Sequence, residues 1–170
     1  VAQLAVPQLV QNMIDAATNG VTANALLTKV PYDSFRDLAP VSLGSINPQM
    51  LFSYPGWQAK SVADLIALAK AKPGALNCAS AGTGTPNHMG CELLKSLANV
   101  NFVHVPYKGS GPAIADIVSG QIEILFDNLP SSLPQIQAGK IRALAVAWPQ
   151  RIASIKDVPT FAEEGYPALN

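Results

Sequence analysis

A chain of 170 residues, 49% apolar and only 13% charged, is long enough for one domain or two small lobes, and too apolar to remain disordered. Eleven Lys plus Arg balance eleven Asp plus Glu, so the formal net charge is zero. There is no basic stripe to neutralise a phosphate backbone, and nucleic acid is not an expected partner. No apolar run reaches the ~18 residues that a bilayer-spanning helix needs. Val1-Ala2-Gln3 has neither the charged start nor the apolar core of a secretory leader, so the chain reads as cytosolic, or as mature or trimmed.

Residues 1 to 54 contain Pro7, Pro31, Pro40 and Pro48 and no clean βαβ unit, and read as part of a second lobe. From 57 to 148 the chain alternates regularly. Ser61 is a good N-cap for a helix over Val62–Lys70, whose Val62, Leu65, Ile66 and Ala69 form one face, and Pro73-Gly74 stops it. A short strand, Ala75–Ala79, leads through Ser80-Ala81-Gly82-Thr83-Gly84-Thr85 into a helix opened by Pro86, with Thr85 as cap and Met89, Leu93, Leu94 and Leu97 as its buried stripe. Asn101–Val105 is rich in β-branched and aromatic residues and reads as a strand. The loop Pro106-Tyr107-Lys108-Gly109-Ser110-Gly111 precedes a helix with Pro112 at its first position and Gly120 just past its end. A third strand runs over Ile122, Ile124, Leu125 and Phe126. Asp127-Asn128-Leu129-Pro130 and a short helix from about Ser132 to Ala138 follow, and Ile141–Ala147 is the fourth strand. Near-continuous apolar strands separated by helices imply an α/β unit with a mainly parallel sheet, with residues 1 to 50 packing outside it. After Trp148 come Pro149, Pro159 and Pro167, with one short helical stretch at Thr160–Glu164.

Parallel strands all end at one edge, so the loops after Ala79, Val105, Phe126 and Ala147 converge where open α/β sheets bind ligands. Ser80–Thr85 carries the sharpest signal there. Two glycines beside a helix start expose backbone N–H groups, and the helix dipole adds roughly half a positive charge, which suits a carboxylate or phosphate. The third position of a dinucleotide fingerprint is Asn87 and no Gly-Lys-Ser/Thr follows, so neither a dinucleotide turn nor a P-loop is present. Gly109-Ser110-Gly111 offers a second helix start, with Lys108 the only cation in the first three loops. Asp127 either accepts hydrogen bonds from a ligand amine or hydroxyl or caps the next turn, and Asn128 adds an amide.

Other chemistries find less support. Ser80, His88 and Asp127 are the residue types of a hydrolytic triad, but there is no Gly-x-Ser-x-Gly elbow, and His88 lies on the first turn of the helix that Ser80 precedes. Both His88 and His104 read equally well as satisfied structural side chains. Glu92, Asp116 and Glu123 fall on exposed faces and do not form a carboxylate pair. Cys78 and Cys91, with the two histidines, lack the close ligand spacing of structural zinc. They are expected to be core thiols, although an oxidising compartment would allow a bridge. No cofactor is expected.

Several blocks resemble the Bug-type solute receptors, the extracytoplasmic binding proteins of tripartite tricarboxylate transporters. They are Pro31-Tyr32-Asp33 with Phe35–Val41, Leu76–Thr85 with His88, His104–Gly109 with Gly111-Pro112-Ala113, Phe126–Ser131, Gly139–Val146, Asp157–Thr160 and Glu163–Pro167. The resemblance covers residues 22 to 168. It implies a type II periplasmic-binding-protein-like fold of two lobes: 1–54 a partial first lobe, 55–150 the complete second lobe, and 151–170 a return towards the first. It also implies a periplasmic receptor without catalysis, which closes on a small carboxylate and delivers it to integral membrane transporter subunits. His88 and Tyr107 then join Ser80, Ala81, Gly82, Thr83, Gly84, Thr85, Lys108, Gly109, Asp127 and Asn128 as ligand-binding residues. Residues 1 to 21 differ from the family's usual opening, and the chain stops before its last helices, so a fragment is expected. Two rival readings are the effector domain of a transcription regulator, which shares this fold class, and a small α/β hydrolase.

Overall fold

The computed structural model describes residues 46–170, together with Lys29, Pro31 and Asp37. The chain divides into two compact units, 1–46 and 47–170, and the second holds every element described below. The block around Tyr32 to Val41 and the atypical opening lie outside the described residues, apart from Asp37.

The run Met50-Leu51-Phe52, bounded by Pro48 and Pro55, forms β1 (Gln49–Ser53). Then follow α1 (Val62–Ala71), β2 (Leu76–Ser80), α2 (Pro86–Ala98), β3 (Phe102–Pro106), α3 (Ser110–Val118), β4 (Ile124–Asn128), α4 (Leu129–Gln137) and β5 (Arg142–Ala147). The sheet order is β3-β2-β4-β1-β5. β2 pairs in parallel with β3 and β4, while β1 runs antiparallel to both β4 and β5, so β2 to β5 share one direction. The mainly parallel sheet is as expected from the alternating pattern. The placing of residues 1 to 50 outside it is corrected for Gln49 and Met50, which lie in a strand flanked on both sides. Such a strand buries both faces: Leu51 packs on one side, Met50 and Phe52 on the other. It therefore reads as an unbroken apolar run, without the alternation that marks a half-buried strand.

Helices α1 and α2 cover one face, around Leu65, Leu94, Phe102 and Phe126. Helices α3 and α4 cover the other, around Ala113, Ile117, Leu125 and Val146. The end of the chain packs onto this same unit. The Val146 N–H donates to the Pro159 carbonyl at 2.9 Å, the Phe161 N–H donates to the Val146 carbonyl at 3.0 Å, and the Phe161 ring stacks on Phe126 at 5.9 Å. The stretch at Thr160–Glu164 is a run of turns rather than a helix. Helix α4 begins at Leu129, three residues before the expected Ser132, and α3 begins at Ser110, ahead of Pro112.

Two expectations about α2 are corrected. Its buried residues are Asn87, Cys91, Leu94 and Ala98, whereas Met89, Leu93 and Leu97 are 39%, 40% and 43% exposed. Three contacts set this rotation, none of which a hydrophobic stripe reveals. The Asn87 amide donates to the Asp127 carboxylate at 2.9 Å, Gly90 lies directly against Phe126, and Cys91 is bonded to Cys78. The cysteines are thus a disulfide and not two thiols. Cys78 near the end of β2 and Cys91 in the second turn of α2 face one core with Cα atoms 6.7 Å apart, within bridging reach.

The Gly90 contact carries a prediction. A Cβ there would stand 2.8 and 2.9 Å from two atoms of the buried Phe126 ring, which also stacks with Phe161. Overpacking of this kind costs about 1–3 kcal/mol, against a gain of about 1 kcal/mol in helix propensity. Gly90→Ala is expected to lower stability by about 1 kcal/mol in urea denaturation, although the same change stabilises most exposed helices.

Candidate functional site

The loop after β2 is built by two glycines. Gly82 and Gly84 have φ of 147° and 79°, in the region that disfavours a Cβ, and they fold Ser80–Thr85 back over the start of α2. Thr85 caps that helix: its Oγ1 accepts the His88 N–H at 3.3 Å and its own hydroxyl donates to the Gly82 carbonyl at 2.7 Å. The loop is tied to its neighbour as the parallel topology requires. The Tyr107 N–H donates to the Ser80 carbonyl at 3.0 Å and the Gly109 N–H to the Ala81 carbonyl at 2.9 Å. Thr83 is exposed at the tip, as is Lys108 on the second loop.

Several residues expected to reach a ligand turn inward. Ser80 is buried. Its Oγ accepts the Gly82 N–H at 3.2 Å and lies 2.7 Å from His104 Nε2. The Gly84 N–H donates to His88 Nδ1 at 3.2 Å, and the His88 and His104 rings stack with centroids 3.8 Å apart. Burial, and then the neighbouring His88, hold His104 below the ordinary imidazole value. Tyr107 donates its hydroxyl to Asp116 at 2.6 Å. Burial and that carboxylate push the phenol up to about 12, so it tethers the second loop to α3 as a neutral group.

Asp127 is wholly buried, and its carboxylate accepts four side-chain hydrogen bonds. Asn87 and Ser110 donate to one oxygen at 2.9 and 2.7 Å, and Ser131 and Ser132 to the other at 2.9 and 3.3 Å. These donors stand in the first turns of α2, α3 and α4. Asp127 is therefore the shared acceptor at three helix starts, which accords with the capping alternative read from the sequence. Asn128, the residue before α4, accepts a hydrogen bond from the Gln49 amide on β1. No sequence signal marks this hub, since each donor on its own is an ordinary polar residue of a first helical turn.

The alternative triad is not assembled: Ser80 meets His104, His88 holds a backbone amide, and Asp127 bonds an amide and three hydroxyls. The zinc reading fails because the cysteine sulfurs are bonded to each other. No helix among the described residues is long and apolar enough to cross a membrane.

Residues 10–170 match the family model described as tripartite tricarboxylate transporter family receptor. The protein BugT of Bordetella pertussis is 36% identical over 143 residues, covering 84% of this chain and 44% of BugT. An R. palustris protein solved with adipate is 38% identical, with a TM-score of 0.74 over 80% of this chain and 46% of that one. MatC from Rhodopseudomonas palustris, solved with bound malate, is 31% identical, with a TM-score of 0.80 over 87% and 50%. The chain thus spans about half the length of the relatives it matches, or somewhat less. The resemblance read from the motif blocks and the expected fold class both agree with these matches.

Proposed function

Since the chain belongs to the tripartite tricarboxylate transporter receptor family, we propose that it forms the carboxylate-holding part of a solute receptor that hands its ligand to a membrane transporter. The observation that carries this reading is the Ser80–Thr85 turn, a two-glycine loop pinned at the start of a capped helix on the ligand edge of a parallel sheet. The relatives solved with adipate and malate support small dicarboxylates as the ligand class. In such a site the positive potential comes from backbone dipoles and needs no arginine, which agrees with the chain's zero net charge. The Cys78–Cys91 bridge supports an extracytoplasmic, oxidising location, where disulfides persist.

Calorimetric titration of the protein at its full native length with adipate and malate tests this reading. Gly84 is buried with φ 79°, so a β-branched residue there forces the turn to reorganise. Gly84→Val is expected to weaken binding by about a hundredfold, while Thr85→Ala, losing one neutral hydroxyl and a cap, costs about 0.5–1.5 kcal/mol. Unchanged affinity in a folded Gly84→Val variant would remove this loop from the site.

A further inference from the structure

The glycine loop rests on a pair of imidazoles. His88 Nδ1 accepts the Gly84 N–H at 3.2 Å, so that nitrogen carries a lone pair and the ring proton sits on Nε2. Nε2 stands 3.9 Å from Glu92 Oε1, and Glu92 is itself held by Lys95 Nζ at 2.9 Å. Across the stack, His104 on β3 meets Ser80 Oγ, which in turn accepts the Gly82 N–H. Two amides of the proposed site are therefore tied to the two stacked rings, one directly and one through a serine.

We propose that His88 is a proton-linked latch on the carboxylate site, releasing the Gly84 amide and turning from acceptor to donor as the ligand anion arrives. This rests on the reading of the loop given above. A carboxylate that takes the Gly84 N–H must draw it away from His88 Nδ1. The neutral ring would then turn a lone pair towards the incoming oxygen. A proton from solvent added at Nδ1 replaces that repulsion with a second, charge-assisted donor beside the amide. The charged groups facing the pair are Glu92, which favours the imidazolium, and Lys95, which partly neutralises Glu92. His104 is disfavoured as the proton acceptor by burial and by its stacked partner.

The sign follows from linkage. The protonated form binds better, so affinity is greatest below the imidazole range and falls as pH rises through it, by at most tenfold per pH unit for one proton. Titrations of adipate and malate between about pH 6 and 8, above the carboxylates' own range, are made in two buffers of different ionisation enthalpy. They are expected to show uptake of up to one proton per ligand. His88→Asn keeps an acceptor for the Gly84 amide but cannot titrate, and is expected to bind with no uptake and a flat pH profile. In the wild type, NMR titration of the His88 ring is expected to show its midpoint rising when ligand is bound, which tests the latch even if the variant does not fold. Binding without proton uptake, uptake undiminished in His88→Asn, or an unmoved His88 midpoint would overturn the latch and leave the loop reading standing. If neither dicarboxylate binds at any pH, both are overturned.

Discussion

Reducing the Cys78–Cys91 bridge is expected to lower the stability of the folded chain by about 3 kcal/mol, the magnitude for closing a ring of this size in the unfolded state. The ring spans a sequence separation of 13, and everything between its cysteines is the end of β2, the whole Ser80–Thr85 turn and the first turn of α2. The bridge therefore constrains the proposed ligand loop at both of its ends. Urea denaturation with and without a thiol-free reductant should separate the two midpoints, and the Cys78→Ala/Cys91→Ala double variant should follow the reduced protein. If the loop holds a carboxylate as proposed, the reduced form should bind adipate and malate more weakly, because the loop must then be ordered at the expense of binding. Coincident midpoints would mean that the cysteines add nothing beyond packing.

Asp127→Ala is expected to cost about 3–5 kcal/mol, because it leaves several buried donors without their acceptor, at about 1–3 kcal/mol for each that finds no other. It strands Asn87, Ser110, Ser131 and Ser132 without their shared acceptor, and it removes the anion that the starts of α2, α3 and α4 surround. Asp127→Asn keeps the shape, and serine hydroxyls can turn to accept from the new amide. Its expected cost is about 1–3 kcal/mol. Thermal melts of the two variants decide the matter: the alanine variant should melt well below the asparagine one. If both melt with the wild type, the carboxylate does not hold the helix starts together.

The alternation of helix and strand from Val62 to Ala147 was legible because each element carries its own signal, such as the Ser61 cap, Pro86 after Thr85, or the β-branched run at Val103–Val105. The Ser80–Thr85 turn itself was legible for the same local reason, a glycine pair at a helix start. What was not legible depends on contacts between distant residues. The burial of Asn87 in preference to Met89 is decided by Asp127, and Ser80 is claimed by His104, neither of which is a sequence neighbour. Likewise β1 looked like a flank because its partners lie far along the chain, and the cysteines looked like thiols because nothing local brings Cys91 round to face Cys78.

The inserted antiparallel strand also sets an order of assembly during synthesis. β1 is made first of the five, yet its partners begin at Ile124 and Arg142, more than seventy residues later. At a ribosomal pace of about 5–20 residues per second, those partners arrive several seconds after β1 has emerged. In the interval β2 and β3 can pair with each other through their own short crossover, while Met50, Leu51 and Phe52 have no partner until β4 arrives. β5 is made last and finds its one neighbour in the sheet, β1, already made. The nascent chain thus carries an unpaired apolar strand until β4 is released, and this is the segment that a holding chaperone would be expected to grip.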